Sequence, residues 1–413
     1  GIDGCFEAST EDFLGEEAVE YNKITDTMDV WMDSGLAHHA VSQNHTDVYF
    51  PADLYLEGSD QHRGWFQSSL LTSVAMNAKA PYKQVLTHGF FVDESGKKMS
   101  KSVGNVIEPQ AVINNLGADI LRLWVASTDY SSEMSISDQI LKRNSDAYRR
   151  IRNTARFLLG NLNDFDPTKD RLPVNELLAL DQWVINRLHE VQAKILEDYS
   201  TYAFHRVSQS LHNFCVVDMG GFYLDVIKDR LYTTQADSHA RKSAQTVLYH
   251  TAESMVRWIA PILSFTADEV WQFLPGNRAE SVFLSEWYQL PEKPDSRINW
   301  SVMDVVQQTA DKALEVARDE GVIGSSLDAC LTVYADGELA ELLASFGEEL
   351  HFLFITSDAT LASTVSIPKG AIEADGVAVS VFKSKHHKCI RCWHKDESVG
   401  QSSEHPELCI RCI

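Results

Sequence analysis

The spacing of apolar and polar positions changes character twice along the chain. In the first hundred residues, short apolar runs alternate with turns. The segment from Thr25 to Gly35 predicts a strand feeding a turn, Ala52 to Gly58 a second strand, and Gln84 to Phe91 a third. Between the last two, Ser59 or Asp60 is placed to cap a helix that runs to about Ala78, where Ala80-Pro81 ends it. Strand, helix and strand joined by short links predict a parallel βαβ unit. From about residue 107 the period lengthens to that of a helix, with Ile113, Leu116, Ile120, Leu121, Leu123 and Trp124 forming one apolar face. Residues 139–160 and 174–274 continue as long amphipathic stretches, broken at points such as Asp164-Phe165-Asp166-Pro167. A small α/β unit follows. It is predicted as a helix over 303–319, a strand over 329–334, a short helix over 337–346, and strands over 351–355 and 377–382.

This order divides the chain into four expected parts. They are an α/β Rossmann-type remnant over 1–138, a helical bundle over 139–302, the small α/β unit over 303–382, and a cysteine-bearing knuckle over 383–413. The 44% hydrophobic and 23% charged content is that of a soluble globular protein. No apolar run reaches the roughly 18 residues of a membrane span, and no basic-then-apolar start marks a secretory leader. A cytoplasmic protein without membrane attachment is expected. Residue 1 is glycine, and Gly1 to Phe6 reads as the interior of a folded unit, which predicts a piece of a longer protein.

The net charge of −23 argues against a generic nucleic-acid binder. Local patches of the opposite sign are present, however. Lys142, Arg143, Arg149, Arg150, Arg152 and Arg156 fall on one predicted helix. A solvated helix face accounts for such a run by default, and a second basic patch near the C-terminus moves the reading toward phosphate binding.

Chemistry concentrates at three places. The first is the loop Val92-Asp93-Glu94-Ser95-Gly96-Lys97 leading into Lys98-Met99-Ser100-Lys101-Ser102. Lysine is a compact, flexible point charge suited to phosphate oxygens, and a departing pyrophosphate needs such stabilisation. An ordinary basic surface loop would also fit these five residues. The second is Glu57-Gly58-Ser59-Asp60-Gln61-His62-Arg63-Gly64-Trp65-Phe66, where a strand ends and a helix begins. Ligands of open parallel sheets sit at such strand ends. Glu57, Asp60 and Gln61 offer acceptors for an ammonium or ribose hydroxyls, and Trp65 can wall an apolar pocket, as can Trp31. Capping by Asp60 and core packing by the tryptophans fit equally well. His62 and His88 read as scaffold.

The third place is Cys389-Ile390-Arg391-Cys392 with Cys409-Ile410-Arg411-Cys412. Two Cys-x-x-Cys pairs at this separation fit one tetrahedral Cys₄ zinc ion, closed and structural. Paired disulfides are the alternative, disfavoured without secretory features. His386, His387, His394 and His405 lie near, but four thiolates already complete the shell. Around them, Lys383, Lys385, Lys388, Arg391, Lys395, Arg411 and Trp393 make a basic, aromatic tip suited to RNA. Cys5, Cys215 and Cys330 stand apart in apolar contexts and read as buried thiols.

These segments, with Asp29-Val30-Trp31-Met32-Asp33-Ser34-Gly35, Gly117-Ala118-Asp119-Ile120-Leu121-Arg122-Leu123-Trp124 and Lys228-Asp229-Arg230-Leu231-Tyr232, resemble the C-terminal part of the bacterial isoleucyl-tRNA synthetases, a family of class I enzymes. The resemblance runs from Gly1 to Ile413. It implies ATP-dependent activation of isoleucine, with Mg²⁺ accompanying ATP, and transfer to tRNA(Ile) by a monomer. It implies that Glu57, Gly58, Asp60 and Gln61 bind the aminoacyl-adenylate, and that Lys98 and Lys101 act in catalysis, Lys101 also binding ATP. Trp31 and Trp65 would flank the isoleucine side chain, and residues 139–302 would bind the anticodon. Arg149, Arg150, Arg152, Lys388, Arg391 and Trp393 are the candidate tRNA contacts. The family's His-x-Gly-His motif and editing domain do not occur in the sequence; isoleucine against valine is the standard illustration of why one methylene gives too little discrimination without editing. The competing expectation is a non-catalytic tRNA-binding module derived from a synthetase.

Overall fold

The computed structural model describes residues 2–24, 26–45, 47–100, 102–294 and 300–413, with side chains omitted at a few further positions. The chain forms two compact units. The first comprises 1–105 with 130–136, the second 106–129 with 137–413.

In the first unit, β1 (Ala52–Gly58) and β2 (Tyr82–His88) pair in parallel, in a register that sets Glu57 beside Thr87 and Gly58 beside His88. Helix α2 (Trp65–Asn77) links them and buries Phe66, Ser69 and Ser73. A second parallel pair, β3 (Phe91–Val92) with β4 (Met134–Ser135), anchors the root of the lysine loop. The predicted βαβ unit is therefore present, but its details differ. The expected strand at 25–35 is instead the short helix α1 (Val30–Gly35), because the Asp29 carboxylate accepts from Trp31 N–H at 2.9 Å as an N-cap; Thr25 lies outside the described residues. Ser59 and Asp60 do not cap α2. They lie in a 3₁₀ turn over Ser59–Arg63, and the Gln61 side chain accepts from Trp65 N–H at 3.0 Å. The helix stops at Asn77, before the proline, with Ala78 left-handed.

The second unit is built on helices. Ser137 caps α4 (Asp138–Gly160), whose Leu141, Ile151, Ala155 and Leu158 turn inward while its arginines stay outside. It packs with α6 (Phe204–Asn213) and the central α8 (His239–Ile259), which is buried along most of its length, and both of these pack in turn on α5 (Ala179–Ser200). Between α6 and α8 the chain passes through a π-helix, Phe214–Tyr223, and α7 (Lys228–Thr233). Each large apolar side chain removed from water here contributes roughly 1.5–3 kcal/mol before entropy is counted. Helix α3 (Ala118–Ser127) also joins this core through Leu123 and Ala126. Arg122 donates to the Ile262 and Pro261 carbonyls at 2.9 and 2.8 Å, and Thr266 donates to buried Asp119. α9 (Ser264–Phe273) starts at that contact.

The same core continues into the small α/β part. There α10 (Trp300–Asp319) packs on a four-stranded sheet of order β6-β5-β8-β7, formed by Asp358–Ala362, Ala329–Tyr334, Val377–Lys383 and Ile372–Ala374. Helix α11 (Gly337–Ser345) follows β5. The strand expected at 351–355 is a helical turn, α12 (Leu350–Leu353), ending at Ile355 with φ +52°. Its apolar residues do enter the core, but the neighbour of β5 is β6, seven residues further on. Cys215 is fully buried, which pushes its thiol up to about 12, whereas Cys330 is only half-buried; the side chain of Cys5 lies outside the description.

Candidate functional site

The strand ends of the first unit gather most of the sequence-predicted groups there. Glu57 stands exposed at the end of β1, with Gly58 buried behind it. Asp60, also exposed, accepts from the Gln61 amide at 3.3 Å. Trp65 is held on two sides. Its indole Nε1–H donates to the Ser34 carbonyl at 2.9 Å, and its ring stacks on buried Tyr55 with centroids 4.3 Å apart and planes 1° from parallel. Trp31, 41% exposed, lies against the same corner. Gly64 is what permits this approach, since a Cβ there would meet the Gln61 amide oxygen at 2.6 Å and the Trp31 ring at 3.1 Å. A carboxylate at a strand end, two tryptophans with one pinned, and an amide between them form a corner that can take an amphipathic ligand.

The lysine loop owes its shape to a residue the sequence reading did not single out. Asp93 accepts from Ser95 N–H at 3.0 Å, Ser95 O–H at 2.6 Å and Lys97 N–H at 3.0 Å on one oxygen, and from the Asn105 amide at 2.8 Å on the other. These hydrogen bonds, the Ser95 and Asn105 side chains foremost, hold its carboxyl well below the usual carboxylate range. Asn105 in turn accepts from Ser100 N–H at 3.0 Å. The two ends of the loop are thus tied together while Lys97 and Lys98 stay outside. Asp-Glu-Ser-Gly is a turn signature in which an aspartate bonds its own backbone, so the signal was there to read. Lys98 is exposed, and its ammonium rests over the Phe90 ring at 3.7 Å from the centroid. Lys101 lies outside the described residues.

At the C-terminus the four cysteines come together. All four are buried, and their Sγ atoms lie within 4.8 Å of one another. Cys392 and Cys409 Sγ are 3.6 Å apart, close to the ~3.8 Å edge of a tetrahedron with ~2.3 Å Zn–S bonds and far from the ~2.05 Å of a disulfide. None is in a disulfide. The turns that aim them are made by Trp393 N–H donating to the Cys389 carbonyl, with Trp393 at φ +68°, and by Cys412 N–H donating to the Cys409 carbonyl, each at 2.9 Å. Cys409 N–H points at Cys389 Sγ at 3.4 Å. Burial pushes the Cys389 thiol up, but backbone N–H groups of Cys392, Cys409 and Arg391 outweigh it and bring it down to about 6. Burial, with the neighbouring sulfurs, pushes the Cys392 thiol up to about 11 and the Cys412 thiol higher still, a crowding that a central cation would relieve. Four buried sulfurs at tetrahedral spacing fit a zinc ion. Among the described residues no histidine joins the group: His394 is buried but faces Asp229, and His386, His387 and His405 are exposed.

The basic groups separate into free and pinned. Lys142, Arg143, Arg149, Arg150, Arg152 and Arg156 are all exposed along α4, with Arg149 paired to Asp146 at 3.3 Å. On the knuckle, Lys388, Arg391 and Trp393 face solvent, the Lys388 ammonium lying 4.9 Å from the Trp393 ring centroid. Lys395 and Arg411 do not belong to that face. Lys395 pairs with Asp328 at 3.2 Å, and Arg411 with Asp229.

Three known families match parts of the chain. Residues 3–137 match the tRNA synthetases class I (I, L, M and V), residues 181–334 the anticodon-binding domain of tRNA ligase, and residues 387–413 the zinc finger found in FPG and IleRS. Over its whole length the chain is 54% identical to an isoleucine–tRNA ligase of Saccharophagus degradans and 55% identical to one of Legionella pneumophila. It spans 45% of the length of each of these relatives. Among solved structures, an Agrobacterium radiobacter LeuRS in a ternary complex with tRNA and LeuAMS superposes on 65% of the chain and 33% of its own, with a TM-score of 0.51 at 19% identity. That likeness extends to the fold.

Proposed function

Because the chain belongs to the isoleucine-type class I aminoacyl-tRNA synthetases, we propose that it serves as part of an enzyme joining isoleucine to tRNA(Ile). The observation that carries this reading is the identity of more than half its residues, along the full 413, to isoleucine–tRNA ligases. In the proposed reaction the isoleucine carboxylate attacks the α-phosphorus of ATP and pyrophosphate departs. The terminal ribose hydroxyl of the tRNA then attacks the adenylate carbonyl, releasing AMP.

Each residue has a place in that scheme. Glu57 at the β1 end holds the adenylate's ammonium or ribose hydroxyls, with Gly58, Asp60 and Gln61 shaping the turn around it. Trp31 and Trp65 wall the branched side chain, a role suited to the pinned indole of Trp65. Lys98 leaves the Phe90 ring to meet the phosphates, together with Lys101 and the Mg²⁺ that accompanies ATP. Such displacement depends on positioning and on charge stabilisation as the leaving group departs. The helices from 139 to 302 receive the anticodon, with Arg149, Arg150 and Arg152 on phosphates and Lys388, Arg391 and Trp393 on the knuckle side. The zinc ion, held by Cys389, Cys392, Cys409 and Cys412, gives the knuckle its fold and takes no part in the chemistry. We assign the whole to a monomer of the cytoplasm; no described helix is long and apolar enough to cross a membrane.

The test uses the enzyme that contains this chain. Isoleucine-dependent ATP–pyrophosphate exchange and charging of tRNA(Ile) are expected. Exchange driven better by leucine or methionine, or tRNA binding with no charging at all, would overturn the assignment in favour of another specificity or a binding module.

A further inference from the structure

Three segments distant in sequence meet around one carboxylate. Asp229 stands on α7 in the helical part of the second unit, its side chain 14% exposed. Arg411, from the last Cys-x-x-Cys turn, donates from both terminal nitrogens to the two Asp229 oxygens, the Nη2–Oδ1 contact measuring 2.9 Å. His394, also on the knuckle, brings Nε2 to 3.5 Å from the same Oδ1. The small α/β part supplies the rest. The Phe352 ring lies 5.0 Å from the Arg411 guanidinium, and His351 and Phe352 each meet the His394 ring at 5.5 Å between centroids. Arg411 lies between Cys409 and Cys412, and His394 two residues after Cys392, so one carboxylate of the bundle holds both Cys-x-x-Cys turns.

Charge explains why such a bridge is needed. Four thiolates around Zn²⁺ leave a net charge of −2 in a buried cluster. A cation carried within the last Cys-x-x-Cys turn offsets part of it, and a carboxylate behind that cation fixes it in place. Outer partners of metal ligands act in this way on orientation and retention. The bidentate fork of arginine holds one geometry where lysine would not.

We infer that Asp229 is a positioning residue of the zinc centre: through Arg411 and His394 it seats the knuckle on the helical bundle and fixes the turn that carries Cys409 and Cys412, so that metal retention depends on a residue 160 positions before the first cysteine ligand. This rests on the zinc reading of the four cysteines. When the contact opens, the cluster loses its compensating cation and the Lys388–Trp393 face loses its fixed orientation on the bundle.

Zinc release into excess EDTA, followed with the full chain, tests this. Asp229→Asn preserves shape and removes the charge; Arg411→Gln removes the bridge from the other side, at a position 31% exposed. Each is expected to release zinc at least about tenfold faster than the parent, within the 10- to 100-fold range of outer-partner losses. The double variant is expected to release it no faster than the worse single one, because both remove the same contact. Release is followed well below each variant's unfolding midpoint, where its helical signal equals the parent's, so that faster release reports the lost contact and not global unfolding. Parental release rates in Arg411→Gln and in any folded Asp229→Asn would overturn the inference, as would fully multiplicative effects in the double variant. A parent protein that binds no zinc would overturn the zinc reading and this inference with it.

Discussion

At the scale of single residues, what decides the lysine loop is an acid rather than a lysine. Asp93 gathers four donors and, with Asn105, closes the base of the loop. Lys98 beyond it then differs from a lysine of a free surface loop in having a defined starting place, over the Phe90 ring. Asp93→Ala in the complete enzyme is expected to lower the pyrophosphate-exchange rate about tenfold, with little change in the isoleucine concentration giving half-maximal rate. An effect on that concentration alone would show the loop serves binding instead. Legibility at this scale follows distance along the chain. The cysteine pairs could be read because a metal site of this kind is written as local spacing. Lys395 and Arg411 were misread as part of the RNA-facing tip because their partners, Asp328 and Asp229, are far away in sequence. A charge next to a knuckle looks the same whether it faces solvent or a buried carboxylate.

Elements were legible where one face alone was apolar. The pattern of α4, with basic residues outside and Leu141, Ile151 and Leu158 inside, is complete within the helix itself. The turn at 350–353 was read as a strand because four of the five residues His351 to Ile355 are apolar. A short apolar run buried on every side carries no period to distinguish helix from strand. The π-helix at 214–223 lies within the stretch read as helical, and nothing in its residue spacing marks the wider turn. Around it, α7 and α5 hold a buried cluster no pattern announces: Arg230 against Asp181 at 3.2 Å, with Tyr223 and Ser243 donating to the same carboxylate and Glu349 on the guanidinium's other side. On the central helix α8, His250 is 3% exposed and bonded to the Tyr288 hydroxyl at 2.8 Å. Burial first, and then Arg171, lower its pKa to about 4. The sign follows directly. Between its ordinary value near 6.5 and about 4 the unfolded chain takes up a proton that the folded chain refuses, so stability is complete above pH 6.5 and falls as pH drops toward 4. The contribution is at most about 3 kcal/mol. Thermal midpoints measured across that window should fall for the parent and fall less for His250→Gln; parallel slopes would remove His250 as a cause.

For the whole molecule, the question is how a chain of net charge −23 engages a polyanion. Long-range attraction cannot come from the total charge, so it has to come from cations left uncompensated at particular places. Two such places exist in the second unit. One is the outer face of α4, where Arg150 and Arg152 are exposed and Arg149 shares only a surface pair with Asp146; such a pair is worth at most about 1 kcal/mol and yields readily to phosphate. The other is the knuckle face of Lys388, Arg391 and Trp393, where an exposed ring 59% open to solvent can also stack on a base. Each phosphate contact releases counterions, so tRNA affinity should fall steeply with salt, by a slope of roughly 0.7–0.9 per contact on logarithmic axes. Replacing Arg149, Arg150 and Arg152 together by alanine should therefore flatten the slope by about 2 if all three meet phosphates. Trp393→Ala should weaken binding with the slope intact, because stacking releases no ions. A filter-binding titration with tRNA(Ile) over a range of salt separates the two. An unchanged slope in the triple variant would return the α4 arginines to an ordinary solvated face, and would leave the knuckle as the remaining contact of this kind among the described residues.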